Sequence, residues 1–154
     1  MSATPEAFLD TNILVYALAD DNAAKHAVAA DLVSRGFETG CFAVSTQVML
    51  ELFVTVTRKL AAPLSHADAS AFLDALAAWP VVSMTPGIVQ AAVAQAARHR
   101  VSVWDAAILE AARTAGCTVV YSEDLGDGAS YDGIVVHNPF TRPTEQPSPK
   151  HHTD

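Results

Sequence analysis

Short apolar runs of β type alternate with longer stretches of helical periodicity along most of this chain. Helical stretches separate most of these runs, as the crossovers between parallel strands require. The alternation therefore predicts an α/β domain built on a parallel sheet. The runs that we predict to be strands are Ala7–Asp10, Cys41–Val44, Val81–Met84, Thr118–Tyr121 and Ile134–His137.

Capping residues indicate where the helices begin and end. Asp21 or Asn22 can cap a helix that runs to about Arg35, and Gly36 is predicted to end it. Thr85-Pro86 combines a cap with a proline at the first helical position. The predicted helices are Thr11–Leu18, about 22–35, Thr46–Lys59, 65–79, Gly87–Arg98 and Ser102–Ala115.

The composition is that of a globular protein: 51% of the 154 residues are hydrophobic and 17% are charged. No apolar run approaches the ~18 residues of a membrane span, and the N-terminal residues lack the pattern of a secretory signal. We expect one soluble domain over residues 1–140 in the cytoplasm. The polar, proline-containing tail 141–154 is predicted to be disordered, and its His151-His152 pair is expected to be inert.

The formal net charge is −8. This charge argues against a protein that holds nucleic acid by electrostatic attraction alone, because phosphate binding needs a basic surface. It does not exclude an enzyme that meets phosphates through divalent metal ions, since such a site must itself be acidic.

Four carboxylates stand at positions where ligands of α/β proteins are found. Asp10 stands at the end of the first predicted strand and Asp124 follows the fourth, and the carboxyl ends of such strands form the usual ligand site. Asp105 lies in the first turn of its helix, and Glu51 lies mid-helix between apolar neighbours. Taken singly, Asp10 or Asp105 can be a helix-capping residue and Asp124 a turn residue. Glu51 is harder to explain this way, because a carboxylate among apolar residues costs stability unless it is compensated.

If the four carboxylates converge, their mutual repulsion requires a neutralising cation. Mg²⁺ or Mn²⁺ is the natural candidate, because both ions take carboxylate and water oxygens. The sequence contains no Cys/His cluster that would favour zinc instead.

These residues and their surroundings resemble the PIN-domain family, and more narrowly its VapC-type toxin branch. The likeness covers about residues 7–140, and five segments in the right order make it specific. The matching segments are Phe8–Leu14 (FLDTNIL), Ser45–Phe53 (STQVMLELF), Ser102–Ile108 (SVWDAAI), Ser122–Leu125 (SEDL) and Val135–Phe140 (VVHNPF).

The resemblance implies a three-layer α/β/α fold with a central parallel five-stranded sheet. It also implies a metal-dependent endoribonuclease that is usually dimeric and is neutralised by a cognate antitoxin. Asp10 and Asp105 would be direct metal ligands, and Glu51 and Asp124 would complete the site. The polar side chains that would orient ligands and water are Thr11, Asn12 and Ser122. Metal-assisted hydrolysis of this kind leaves 5′-phosphate and 3′-hydroxyl ends.

Basic residues that could hold RNA are found at two helix ends. They are Arg58 and Lys59 after the Glu51 helix, and Arg98 and Arg100 before the Asp105 helix. Complementing the helix dipole is an equally good explanation of these positions.

Three other functions are compatible with parts of the pattern. An aspartate-based phosphatase would need a second acid two positions after Asp10, where this chain has Asn12. A receiver-like signalling domain would need a lysine after a late strand, and none follows TVVY or IVVH. A PIN-like module that binds partners without cutting would be expected to have lost some of the four acids.

Overall fold

A computed structural model describes residues 4–141 of the chain. The predicted tail from residue 142 onward, with its two histidines, lies outside the described residues. The strands are β1 (Ala7–Leu9), β2 (Phe42–Ser45), β3 (Val81–Val82), β4 (Val119–Tyr121), β5 (Ser130–Tyr131) and β6 (Ile134–His137). The helices are α1 (Thr11–Leu18), α2 (Ala23–Thr39), α3 (Thr46–Arg58), α4 (His66–Leu76), α5 (Pro86–His99) and α6 (Val103–Thr114).

The strands form one sheet in the order β3-β2-β1-β4-β6-β5. All pairs among the first five of these strands are parallel, whereas β5 pairs antiparallel with β6. The α/β fold and its five parallel strands are therefore confirmed. The sheet has a sixth strand, β5, that the sequence analysis did not predict. It joins β6 through Asp132-Gly133, both of which have positive φ, as a tight hairpin turn requires.

The predicted end of the second helix at Gly36 is wrong. Helix α2 continues to Thr39, and the left-handed residue that ends it is Gly40. Gly36 is buried within the helix, where an added Cβ would lie 2.5 Å from the Trp79 ring. Gly36 therefore allows close packing of α2 against Trp79 and does not end the helix. Other boundaries differ by a few residues: β3 stops at Val82 and α4 at Leu76, earlier than predicted.

The centre of the sheet determines where polar side chains emerge. Strands β1 and β4 are neighbours, with Leu9 opposite Tyr121, and their side chains belong to the apolar core. The first polar residues beyond these strands, Asp10 and Ser122, are consequently side by side at the carboxyl edge. Helix α3 follows β2 on the other side of β1, which brings its first turns to the same edge.

Along the described residues, no helix is both long enough and apolar enough to cross a membrane.

Candidate active site

An open groove of about 630 Å³ lies at the carboxyl edge of the sheet. All four carboxylates singled out in the sequence line it: Asp10, Glu51, Asp105 and Asp124. They come from the start of α1, the middle of α3, the first turn of α6 and the segment after β4. Residues that are far apart along the chain are thus brought to one surface.

Asp10 is the most buried of the four, with 7% of its surface exposed. It caps α1 by accepting a hydrogen bond from the Thr11 amide at 2.7 Å, and its other oxygen accepts one from the Ser122 hydroxyl at 2.8 Å. Burial raises the pKa of Asp10 from 3.8 to about 6, and the negative charges of Asp124 and Glu51 add to the increase. The two hydrogen bonds oppose this increase without cancelling it.

Glu51 is held by hydrogen bonds to both of its oxygens. The Thr11 hydroxyl donates to Oε1 at 2.8 Å, and the Gln47 amide donates to Oε2 at 3.1 Å. Gln47 also donates to the Trp104 carbonyl at 3.3 Å and so connects α3 to the start of α6. Gln47 was not predicted as a site residue, although a polar residue one turn before Glu51 on the buried face of α3 indicates such a role.

Of the other two carboxylates, Asp105 is half-buried and Asp124 is exposed. The Ser102 hydroxyl caps α6 by accepting a hydrogen bond from the Asp105 amide at 3.0 Å. Partial burial raises the pKa of Asp105, and the charges of Asp124 and Glu51 contribute. Asp124 accepts a hydrogen bond from Asn12 Nδ2 at 2.9 Å, and its own amide donates to Ser122 Oγ at 3.1 Å.

The donor set fits a hard divalent cation. Within residues 4–141, none of the four carboxylates has a Lys, Arg or His side chain at ion-pair distance. No basic side chain within residues 4–141 therefore neutralises their negative charge through an ion pair. No three His, Cys, Asp or Glu side chains in the same range are grouped closely enough to enclose a metal ion. An open arrangement suits Mg²⁺, which is usually held through one or two carboxylates and keeps several waters.

The predicted basic residues are not brought together. Lys59 lines the groove with the carboxylates. Arg58 ends α3 and is exposed, and Arg100 caps α5 in a left-handed conformation with φ 57°. Arg98 instead pairs with Asp132 in the β5–β6 turn at 2.9 Å and does not line the groove.

The fold and the groove define a class of α/β domain with an acidic site at the carboxyl edge of a parallel sheet. The family model of the PIN domain matches residues 7–126. The chain therefore belongs to the PIN-domain family. No curated protein matches the sequence.

Solved structures share the fold. A toxin–antitoxin complex from Klebsiella pneumoniae contains a chain of 20% identity, with 86% of this chain and 97% of that chain covered at a TM-score of 0.63. VapC20 of Mycobacterium tuberculosis, a sarcin-ricin loop cleaving toxin, matches at 21% identity over 77% of this chain and 89% of its own, with a TM-score of 0.62. DNA-bound VapBC from Salmonella typhimurium matches at 18% identity, covering 88% and 98%, with a TM-score of 0.60.

Proposed function

We propose that this chain is a metal-dependent endoribonuclease that acts in the cytoplasm as the toxin of a type II toxin–antitoxin pair. The observation that carries the proposal is the groove itself. Four carboxylates from four separate elements line it, and no cation of the described residues pairs with them. Such an excess of negative charge is unfavourable in the absence of a bound cation.

The proposed cofactor is Mg²⁺, with Mn²⁺ as an alternative. Asp10 and Asp105 would hold the ion directly, and Glu51 and Asp124 would complete the site. A bound Mg²⁺ would activate water as a nucleophile and neutralise charge on the phosphodiester.

The contribution of the protein is to keep these carboxylates in place. Thr11 donates to Glu51, Ser122 donates to Asp10, and Asn12 donates to Asp124. Each of these hydrogen bonds fixes one carboxylate before substrate arrives, which supports both metal affinity and rate. Asn12 occupies the position where an aspartate-based phosphatase would need a general acid, and here its amide donates to Asp124 instead. Among the described residues no histidine lines the groove; its ionisable side chains are the four acids, Lys59 and Tyr16.

RNA is the proposed substrate, and Lys59 is the basic residue best placed to meet it. Lys59 lines the groove that contains the acids. A phosphate next to the one being cleaved would pair with this group and keep the RNA backbone in the groove. VapC20, which has the same fold, is an RNA-cleaving toxin and supports this choice of substrate.

An antitoxin is the proposed protein partner, bound to a homodimer of this chain. Leu50 is 71% exposed and Trp104 66% exposed, and with Val54 they form an apolar rim around the acidic groove. Apolar side chains exposed beside uncompensated acids fit a peptide segment that carries apolar residues and a basic one. The similarity in fold to chains of toxin–antitoxin complexes supports the same partner. The proposed partner is tested by looking for a small neighbouring gene whose product has a basic C-terminus. That product should co-purify with this chain.

RNA cleavage by the purified protein tests the proposed activity. Several structured RNAs, including ribosomal RNA, are incubated with Mg²⁺ or Mn²⁺, and the ends of the products are sequenced. We expect 5′-phosphate ends, no cleavage in EDTA, and a loss of at least about 100-fold in Asp105→Asn. Asp31→Asn, which changes an exposed acid of α2 outside the groove, is the matched control.

Other results would favour the alternatives. Tight binding of a partner without cleavage of any RNA, even with Mn²⁺, would favour a non-catalytic PIN module. Release of phosphate from small phosphomonoesters would favour a phosphatase.

A further inference from the structure

Lys25, Tyr16 and Glu123 form a compact polar cluster beside the groove, which we call the Lys25 cluster. The Lys25 ammonium group pairs with Glu123 Oε2, and the Tyr16 hydroxyl donates to Glu123 Oε1 at 2.8 Å. Lys25 also donates to the Tyr16 hydroxyl at 3.3 Å and lies 4.9 Å from the centre of the Tyr16 ring. The Phe140 and Tyr16 rings pack edge to face, with ring centres 5.0 Å apart. The Glu123 carboxylate is thus held by two donors from two different helices.

The cluster acts on the segment that carries Asp124. Glu123 lies between Ser122 and Asp124, and its amide donates to Asn12 Oδ1 at 3.2 Å. Asn12 and Tyr16 are four residues apart on α1 and therefore face the same side of that helix. The segment 122–124 is consequently fixed by α1 through Asn12 and by α1 and α2 through the Glu123 side chain.

Lys25 itself does not line the groove, and no other described residue of α2 does. Its contacts with the site therefore run through its two partners, Glu123 next to Asp124 and Tyr16, which lines the groove. Its pairing with Glu123 also neutralises a fifth carboxylate one residue away from Asp124. The ion pair is partly exposed, with 31% of the Lys25 side chain and 23% of the Glu123 side chain accessible. Such pairs contribute little to global stability, so the expected effect of losing this one is local.

We propose that Lys25 is a positioning residue of the metal site: with Tyr16 it holds Glu123, and thereby fixes Asp124 against Asp10. The proposal rests on the proposed function, because it assigns the cluster a role in binding the divalent ion.

The test compares Lys25→Met with Arg35→Met. Arg35 also lies on α2 and also forms an ion pair, with Glu6 at 3.2 Å, but away from the groove. Two measurements are made without RNA: hydrogen exchange of the amides of 122–124 in metal-free protein, and Mn²⁺ affinity by calorimetry at neutral pH. In Lys25→Met we expect faster exchange confined to this segment and Mn²⁺ binding about 10-fold weaker. Arg35→Met should change neither, and Lys25→Arg should restore most of the affinity. If Lys25→Met does not fold, Glu123→Gln removes the charge pairing while keeping the side-chain length.

Unchanged exchange at 122–124 in Lys25→Met would overturn the proposal, and so would an Mn²⁺ affinity equal to that of the wild type. The failure of the proposed function gives a different result. In that case the wild type itself binds no Mn²⁺ and cleaves no RNA.

Discussion

Replacing Asp10 by Asn is expected to stabilise the metal-free protein at neutral pH although it removes a proposed metal ligand. The Asp10 carboxylate is buried, and burial together with the charges of Asp124 and Glu51 raises its pKa from 3.8 to about 6. Keeping the ionised form in the fold therefore costs free energy. At about 1.4 kcal/mol per pKa unit, the cost above pH 7 is about 3 kcal/mol.

An asparagine carries no charge and fits the same contacts. Its carbonyl oxygen can accept from the Thr11 amide, and its amide can donate to the Ser122 hydroxyl. We expect Asp10→Asn to raise the free energy of unfolding by about 2–3 kcal/mol at pH 7.5 in EDTA. Because the folded-state pKa is raised, the wild type recovers this stability as the pH falls through about 6. The advantage of the variant should vanish near pH 4.

Urea unfolding of both proteins at pH 4.5, 6.0 and 7.5, in EDTA, measures the effect. Other carboxylates titrate in both proteins, so the difference between them isolates Asp10. Asp31→Asn, on the exposed side of α2 and outside the groove, is the control for the loss of one carboxylate. Saturating Mn²⁺ should stabilise the wild type at pH 7.5 and have much less effect on Asp10→Asn. A variant that is no more stable than the wild type at pH 7.5, with a difference independent of pH, would refute the reasoning.

Two further changes test packing and substrate contact. Gly36→Ala places a Cβ 2.5 Å from the Trp79 ring and should lower the free energy of unfolding by about 1–3 kcal/mol in urea titrations; Gly87→Ala, which meets only one atom at 3.8 Å, should not. Equal stability of the two variants would contradict this account of α2. Lys59→Met should weaken RNA binding, measured in Ca²⁺ to prevent cleavage. The slope of log affinity against log salt concentration should fall by about one, as expected for the loss of one phosphate contact. Arg98→Met should leave RNA affinity unchanged. A larger loss of RNA affinity in Arg98→Met than in Lys59→Met would contradict the choice of Lys59 as the RNA contact.

Local signals explain what the sequence predicted of the fold. Ser45, Thr85 and Ser102 each accept a hydrogen bond from the amide three residues on, so each helix start is encoded within a few residues. The end of α2 was mispredicted because Gly36 is required by close packing against the Trp79 ring, which is distant in sequence, and not by the end of the helix. Strand β5 was missed because its two residues show no apolar pattern, although the Asp-Gly pair that follows is a hairpin signal.

The candidate site likewise combines residues with local sequence signals and contacts between residues distant in sequence. Asp10 and Asp124 were found because they follow strands, and strand ends meet at one edge of a parallel sheet. The pairing of Lys25 with Glu123 joins residues 98 positions apart and has no signature in spacing. Arg98 was one of the candidates for RNA contact, whereas its partner is Asp132 in a hairpin that was not predicted.

Anomalous diffraction from crystals soaked in Mn²⁺ would test most directly whether the four acids form a metal site. We predict a peak in the groove, bonded to carboxylate oxygens of Asp10 and Asp105 and absent in Asp105→Asn. Crystals that show Mn²⁺ bound elsewhere on the protein and none in the groove would contradict the account.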